Sequence, residues 1–469
     1  MTEVKIGLET HIQLDTDTKL FCGCPNEKIG KPNKNVCETC LGHPGSKPRL
    51  NKAVLDKAVQ TAQALKCDVN EDIFFSRKTY FYPDMSKNYQ ITQYEIPVGE
   101  EGGFKLKVED EKKKVGITRL HIEEDPAKLV HEGGDIRSSK YTKVDYNRAG
   151  TPLLEIVTEP DFESPAEARN YLQQLAQMLE YLGIYRPDSD YAIKSDANIS
   201  IEGGQRVEVK NITGTKGIEQ ALSYEVSRQK QLKKRGLQVQ QETRNYDANQ
   251  KITEKLREKE TEEDYGYIFD PDLTRQELDR DYRENLKQDI PELPHEKFER
   301  FREEYGLKEK IVESLISEPE IADDFEELAE SHDPELTASW MTGELKKVLN
   351  YNELNYSEAD IRIEWLKKLL QLLEEDQISD RNAEKLLREL VENPRNPDEI
   401  INEKDLLKAE ESEISTVIEQ VIQDNPEAVE DFESGDREAV NFLVGQVMQE
   451  SGGKADPKTA REKILSRLE

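Results

Sequence analysis

Cysteine is scarce. Five in 469 residues are too few, and odd in number, for a disulfide framework, so a reducing compartment, the cytoplasm, is expected. Long apolar runs are missing too. Nothing approaches the ~20 consecutive apolar residues that a membrane-spanning helix needs. The opening stretch MTEVKIGLETHIQL lacks a basic segment followed by an apolar one, so no secretory signal is expected. Positive charge is in deficit, with 66 Lys and Arg against 98 Asp and Glu and a formal net charge of −32. That excludes a protein that coats nucleic acid through its overall charge, but a local basic patch can still serve inside an acidic envelope. The acidic excess also suits a salty cytoplasm. Three catalytic signatures are absent: the phosphate loop GxxxxGK[ST], the kinase glycine loop with its VAIK strand, and the GxSxG elbow. Any ATP site in this chain is therefore of another kind.

What is present predicts an ordered α+β protein. Hydrophobic residues make up 35%, with 18 Tyr and 12 Phe, and apolar periodicity recurs throughout. Residues 1–290 read as mixed strands and helices, with strand-like runs VKIGLETHIQL, VGITRLHI, TPLLEIV, YAIKSDANISI and RVEVKN between turn residues. Ser164-Pro165-Ala166-Glu167 has the spacing of a capping box. The helix it opens carries Leu172, Leu175, Met178, Leu179 and Leu182 on one face and stops at Gly183. A second helix is predicted from about Gly217 to Gly236, with Ile218, Ala221, Leu222 and Val226 inward and a basic end from Arg228 to Arg235. From 291 to 395 only helical periods remain. The stretch Asn393-Pro394-Arg395-Asn396-Pro397 marks a break, and 400–469 forms a last helical unit. There a Gly452-Gly453 turn precedes Lys454, Lys458, Arg461, Lys463 and Arg467.

Four of the five cysteines fall between positions 22 and 40, as Cys22-Gly23-Cys24 and Cys37-Glu38-Thr39-Cys40. Two tight turns, each offering two thiolates, match a tetrahedral zinc site with Zn–S near 2.3 Å. Sulfur fills all four positions, so the zinc would be structural rather than catalytic. Cys67 lies in a helix-like stretch and reads as core.

The strands carry an unusual second face. Alternation in the first places Ile6, Leu8, Thr10, Ile12 and Leu14 on one side and Glu9, His11 and Gln13 on the other. In GITRLHIEED, Leu120 and Ile122 oppose Arg119, His121 and Glu123. Glu155 interrupts the apolar run TPLLEIV, which is costly unless the carboxylate is paired, protonated or bound to a cation. Ile193, Ala197 and Ile199 oppose Lys194, Asp196 and Asn198, while Arg206, Glu208 and Lys210 share a face. Two readings fit these faces: a salt-bridged sheet surface, or carboxylates that hold Mg²⁺ beside cations that neutralise phosphate. Arg77-Lys78-Thr79-Tyr80-Phe81-Tyr82 mixes cations with aromatics, compatible with stacking on a nucleotide or with a half-buried strand end.

Taken in order, GLETHIQL, CLGHPGSKPRLN, SRKTYFYPDMSKNYQITQ, LHIEEDPAKL, VDYNRAGTPLLEIVTEPD, SDANISI and RVEVKN resemble the GatB family of aspartyl/glutamyl-tRNA amidotransferase subunits. QETRNYD, EEDYGYIFDPDL, LVGQVM and GGKADPK extend the resemblance over nearly the whole chain. It implies a glutamine-hydrolysing carbon–nitrogen ligase acting on misacylated Glu-tRNA(Gln) or Asp-tRNA(Asn). With ATP and Mg²⁺, the side-chain carboxylate of the attached amino acid is phosphorylated, and ammonia then displaces the phosphate. A separate amidase subunit supplies the ammonia through a tunnel, and a third, small subunit straps the two together into a heterotrimer. The implied fold is an antiparallel-sheet cradle with a small zinc knuckle, followed by an all-α helical domain and a YqeY-like tail that grips tRNA. The implied Mg²⁺ ligands are Glu9, His11, Glu123 and Glu155. Asp196 is a candidate for a second ion or for ATP, and Lys78, Arg148 and Lys210 for phosphate contacts. Arg148 could equally form a loop salt bridge, and Lys210 an ion pair with Glu208.

Two stretches depart from the family. The usual DYRYFPEPDL is Asp264-Tyr265-Gly266-Tyr267-Ile268-Phe269-Asp270-Pro271-Asp272-Leu273, and Ile212-Thr213-Gly214-Thr215 replaces the usual Asn-Ser-Phe. The related archaeal GatE proteins, specific for glutamate, normally carry an inserted domain that this chain lacks. A zinc-stabilised tRNA-binding protein without catalysis is the reading from a different class, and replacement of the four implied ligands would favour it.

Overall fold

The computed structural model describes residues 3–27, 30–108, 111–131, 139–186, 193–258, 266–408, 411–434, 438–451, 455 and 457–468. Asp264, Tyr265, Gly452, Gly453 and Lys454 lie outside them. The chain divides into two units, Met1–Leu293 and Pro294–Glu469.

The first unit is built on a nine-stranded sheet. In chain order its strands are β1 (Val4–Gln13), β2 (Asp68–Val69), β3 (Gly99–Val108), β4 (Glu111–Glu124), β5 (Pro152–Thr158), β6 (Lys194–Ile201), β7 (Val207–Thr213), β8 (Glu242–Asp247) and β9 (Ile252–Glu258). Their spatial order is β9-β8-β7-β6-β1-β5-β4-β3-β2. Every pairing is antiparallel except β7 with β8. The expected antiparallel cradle is corrected at that point. A parallel return needs a crossover, and helix α3 (Gly214–Lys234), which leaves β7 directly, provides the length for it.

Three helices, α1 (Lys52–Ala64), α2 (Pro165–Tyr181) and α3, contribute side chains to one apolar core with the sheet. Ile6, Leu8 and Ile12 from β1 meet Ile122, Leu154, Ile156, Ala197 and Ile199 from its neighbours in that core. Helix α2 begins as its sequence predicts: Ser164 caps it, the Glu167 N–H donates to Ser164 Oγ at 3.2 Å, and Pro165 occupies the first turn. Helix α3 starts three residues before the expected Gly217. Gly217 lies inside it, where a Cβ would meet Ile212 Cγ2 at 3.4 Å. Cys67 is buried in the core, and burial pushes its thiol up to about 12.

A second, three-stranded sheet joins Ser76–Thr79 to Tyr89–Thr92 and Gly266–Phe269. Arg77 on it donates to Asp270 (2.7 Å) and Asp272 (3.1 Å) and stacks over Tyr89 at 4.4 Å. Tyr267, within the stretch where the chain departs from the family pattern at Gly266, Ile268, Phe269 and Asp270, stacks on Tyr94 at 4.1 Å between centroids.

The second unit is helical, with helices from Pro294–Glu304 to Pro457–Leu468. Its last four helices, Glu411–Asp424, Pro426–Glu433, Ala439–Glu450 and Pro457–Leu468, close around their own apolar core of Ile414, Ile418, Val421, Val440, Leu443, Val447 and Ile464. Among the described residues no helix is long and apolar enough to cross a membrane.

Candidate active site and zinc centre

The polar face of the sheet is where the chemistry-bearing residues collect. Strand register sets them in rows. Lys194 of β6 lies opposite His11 of β1, His11 opposite Glu155 of β5, and Glu155 opposite His121 of β4. The neighbouring row runs Asp196, Glu9, Val157, Arg119. On the other side, Glu123 lies opposite Leu153. Residues opposite one another on one face have Cβ atoms about 5 Å apart, so β1, β4 and β5 must bring their polar side chains together.

They do. His11 Nε2 lies 3.1 Å from Glu155 Oε2 and 3.6 Å from Glu123 Oε1. His121 Nε2 lies 3.5 Å from the same Glu155 oxygen. Donor atoms of His11, Glu123 and Glu155 all fall within 4.8 Å of one another, as a metal ion requires. The cluster is sheltered, with the Glu123 side chain 8% exposed and His121 2%. Burial disfavours charge on the His11 ring, but the hydrogen bond and charge of Glu155, then Glu123, outweigh it and raise the ring to about 10. Burial also opposes charge on Glu155, yet His121, His11 and Arg119 hold its carboxyl well below the usual range. Glu123 is pushed up to about 7 by burial and by the Glu155 charge. Burial drops His121 to about 4. Two carboxylates and an imidazole so close, with one carboxyl pushed toward protonation, suit a divalent cation.

Glu9 falls outside that triad of donors. Asn198 Nδ2 donates to Glu9 Oε1 at 2.8 Å, and burial, followed by the charges of Glu155 and Asp196, raises its carboxyl. Asp196 accepts from Lys210 Nζ at 3.0 Å and from the Asn211 N–H at 3.1 Å. Lys210 also reaches Glu208 at 3.4 Å. Arg148 is held as well: its guanidinium donates to the carbonyls of Pro126 (3.0 Å) and Ala127 (2.9 Å) and pairs with Asp125 at 3.2 Å. Of the two readings open for Arg148 and Lys210, the ion-paired one describes their positions. Lys78 stands on Ser76–Thr79, and its charge acts on Glu123 and His121.

Three participants carry no assigned role in the sequence reading. Alternation had placed His121 and Asn198 on the polar face, which was the available signal. Asp125 follows the end of β4, is buried beside Arg148, and had no periodic signal to reveal it.

The cysteines converge separately. Cys40 Sγ lies 3.3 Å from Cys22, 3.6 Å from Cys37 and 3.7 Å from Cys24. Tetrahedral zinc at 2.3 Å would set its sulfurs roughly 3.8 Å apart, so the four thiols fit the ion. Lys19 is an independent test of that fit. It is 1% exposed, and among the described residues its ammonium touches the Asn35 carbonyl at 2.9 Å and Cys40 Sγ at 3.7 Å, and no carboxylate. A buried ammonium so placed requires another anion, and four thiolates around Zn²⁺ carry the negative charge that answers it. Hydrogen bonding from Cys22 and the Lys19 charge bring Cys40 down to about 4.

Comparison with known proteins decides the lineage. A family profile described as "GatB/GatE catalytic domain" matches residues 4–284, and one described as "GatB domain" matches residues 323–468. The chain belongs to the GatB family. Relatives named as GatB-type subunits of aspartyl/glutamyl-tRNA(Asn/Gln) amidotransferase run over its full length. That of Methanothermobacter thermautotrophicus is 46% identical over 469 residues, spanning 99% of this chain and 100% of the relative. That of Haloquadratum walsbyi is 44% identical over 482 residues, spanning 99% and 97%. That of Carboxydothermus hydrogenoformans is 40% identical over 475 residues, spanning 99% and 98%. All the cluster residues fall inside the matched GatB/GatE catalytic region.

Proposed function

We propose that this chain is the phosphorylating subunit of a tRNA-dependent amidotransferase. It would bind Glu-tRNA(Gln) or Asp-tRNA(Asn) and transfer the γ-phosphoryl of ATP to the side-chain carboxylate of the attached amino acid. Ammonia then attacks the acyl carbon, the phosphate leaves, and the amide remains. The logic is chemical: a free carboxylate is a poor electrophile, and phosphorylation converts one oxygen into a leaving group.

The row of imidazole and carboxylate groups across β1, β5 and β4 is the observation that supports this reading most. His11, Glu123 and Glu155 are the residues that would hold Mg²⁺, and Glu9, Asn198 and Asp196 form a neighbouring polar subsite. The ion, when bound, would offset charge on the transferring phosphoryl. The residues of the chain do the rest. The paired rings of His11 and His121 fix the Glu155 carboxylate between them, and Thr92 Oγ1 lies 3.4 Å from Glu123 Oε2. Glu123 and His121 are largely withheld from water. Lys78 supplies positive charge from the second sheet.

The same reading assigns a scaffold role to zinc at Cys22, Cys24, Cys37 and Cys40, ammonia supply to the amidase subunit, and a strap to the small third subunit. Residues 291–395 would be the helical domain, and the separately cored helices near the C-terminus a YqeY-like tRNA-binding tail that uses Lys458, Arg461, Lys463 and Arg467. The test is reconstitution with the amidase and strap subunits and each misacylated tRNA. ATP turnover that depends on the aminoacyl-tRNA, together with release of Gln or Asn from the product, is expected. A folded, tRNA-binding complex that hydrolyses no ATP under Mg²⁺ would leave only the tRNA-binding reading.

A further inference from the structure

Of the three cations assigned from sequence to phosphate, Lys78 acts on Glu123 and His121 from the second sheet, and the other two are ion-paired. Arg148 is bound to Asp125 and two carbonyls, and Lys210 to Asp196 and Glu208. Lys87 pairs with Glu124 and Arg77 with Asp270 and Asp272. Arg119, in the row next to the triad, places its charge on His121 and Glu155 and belongs to the internal balance of the cluster. Lys194 is different. It lies directly opposite His11 in the β1–β6 ladder, at the end of the row His11–Glu155–His121. Its side chain is exposed on the open face of the sheet, and among the described residues its ammonium makes no hydrogen bond and no ion pair.

The surroundings of Lys194 carry surplus positive charge. The charged groups that act on it are Asp125, Arg148 and Lys128. Asp125 already accepts the Arg148 guanidinium at 3.2 Å, which leaves two ammonium groups without a carboxylate among the described residues. A cation held on a central strand in such company is poised for an incoming anion.

We infer that Lys194 contacts the oxygens of the phosphoryl group in transit, taking the part that sequence alone gave to Arg148 and Lys210. The inference rests on the phosphoryl-transfer reading above and names the residue that would stabilise the developing charge. Neighbouring strands lie about 4.8 Å apart, so a side chain opposite His11 stands one strand from the metal-ready triad.

The experiment compares Lys194→Met and Lys194→Arg in the full complex with the amidase and strap subunits. Aminoacyl-tRNA-dependent ATP turnover, tRNA affinity and Mn²⁺ affinity by electron paramagnetic resonance are measured, with circular dichroism and zinc content as checks of folding. Loss of one transition-state cation predicts that kcat falls about 100-fold in Lys194→Met while tRNA and Mn²⁺ affinities stay within about twofold. Lys194→Arg, which keeps the charge, should recover all but roughly tenfold of kcat. Unchanged kcat in Lys194→Met overturns the inference. So does a loss confined to tRNA affinity, which would make Lys194 a contact to the tRNA backbone. Wild-type complex without tRNA-dependent ATP turnover would remove the phosphoryl-transfer reading first, before any variant is made.

Discussion

His11 of β1 and Glu155 of β5 face each other across the antiparallel ladder, with Nε2 3.1 Å from Oε2. That pair explains how a carboxylate persists inside an apolar strand. Leu154 and Ile156 on either side of Glu155 are fully buried. An isolated carboxylate there would be driven to the neutral form. The His11 ring on one side keeps it charged, with His121 Nε2 at 3.5 Å on the other, so Glu155 stays an anion ready for a cation.

Glu155→Gln should therefore abolish amide formation, by at least about 100-fold in kcat, while tRNA affinity persists. The amide keeps the shape and removes the charge that faces His11 and that a bound metal would share. Single-turnover amidation and a tRNA titration separate the two effects. Equal loss of both would assign Glu155 to folding instead.

Zinc binding should respond to Lys19 as well as to the cysteines. Cys37→Ser removes a ligand, and zinc content should fall below one per chain. Lys19→Met keeps all four thiols but strips the ammonium beside Cys40. Supporting groups of this kind are typically worth ~10–100-fold in metal affinity, and competition with a chelator should show a loss of that size. Unaltered affinity in Lys19→Met would mean that the ammonium is neutralised by its carbonyl contact alone.

Close packing gives a prediction independent of function. A Cβ at Gly102 on β3 would collide with Cys67 Sγ and meet the Leu65 carbonyl oxygen at 2.9 Å. The carbonyl belongs to backbone that also accepts from the Gly103 N–H, so it cannot easily yield. Gly102→Ala should cost about 1–3 kcal/mol. Ser164→Ala, which removes the cap of α2, should cost about 1 kcal/mol. Urea denaturation of the purified chain reads both, and a Gly102→Ala variant as stable as wild type would show that β3 can shift away.

These particulars show how far sequence carried. Period-two alternation in Val4–Gln13 fixed which side chains share the polar face, because a strand turns successive residues to opposite sides. It could not fix the row, and so could not say which of the polar side chains come within reach of one another. Rows depend on register between strands that lie about 145 positions apart in sequence, such as His11 and Glu155. For Arg148 and Lys210 the sequence left an ion pair and a phosphate contact both open, because their partners are set by tertiary folding. Strand β3 escaped notice because Gly99-Glu100-Glu101-Gly102-Gly103 reads as a turn; its partner β4 supplies the pairing that propensity does not. The parallel β7–β8 pair was equally unreadable, since alternation says nothing about the direction of a neighbour.

The C-terminal helices offer the last test. Their core runs from Ile414 to Ile464. Just before it, the chain is tied back to the preceding helices: Asn382 Nδ2 donates to the Leu406 carbonyl at 2.9 Å, and the Lys408 N–H donates to the Gln377 carbonyl at 2.8 Å. A cut after Lys408 respects these bonds, whereas one at 400 would break the helix Pro397–Lys404. Chain ending at Lys408 should fold, keep its zinc and bind ATP analogues within about twofold of full length. It should lose affinity for tRNA by about 10-fold or more, with a shallower salt dependence, because phosphate contacts from Lys458, Arg461, Lys463 and Arg467 are gone. Calorimetric titration of each ligand at two salt concentrations checks this. Undiminished tRNA affinity would place the RNA-binding surface upstream of Lys408.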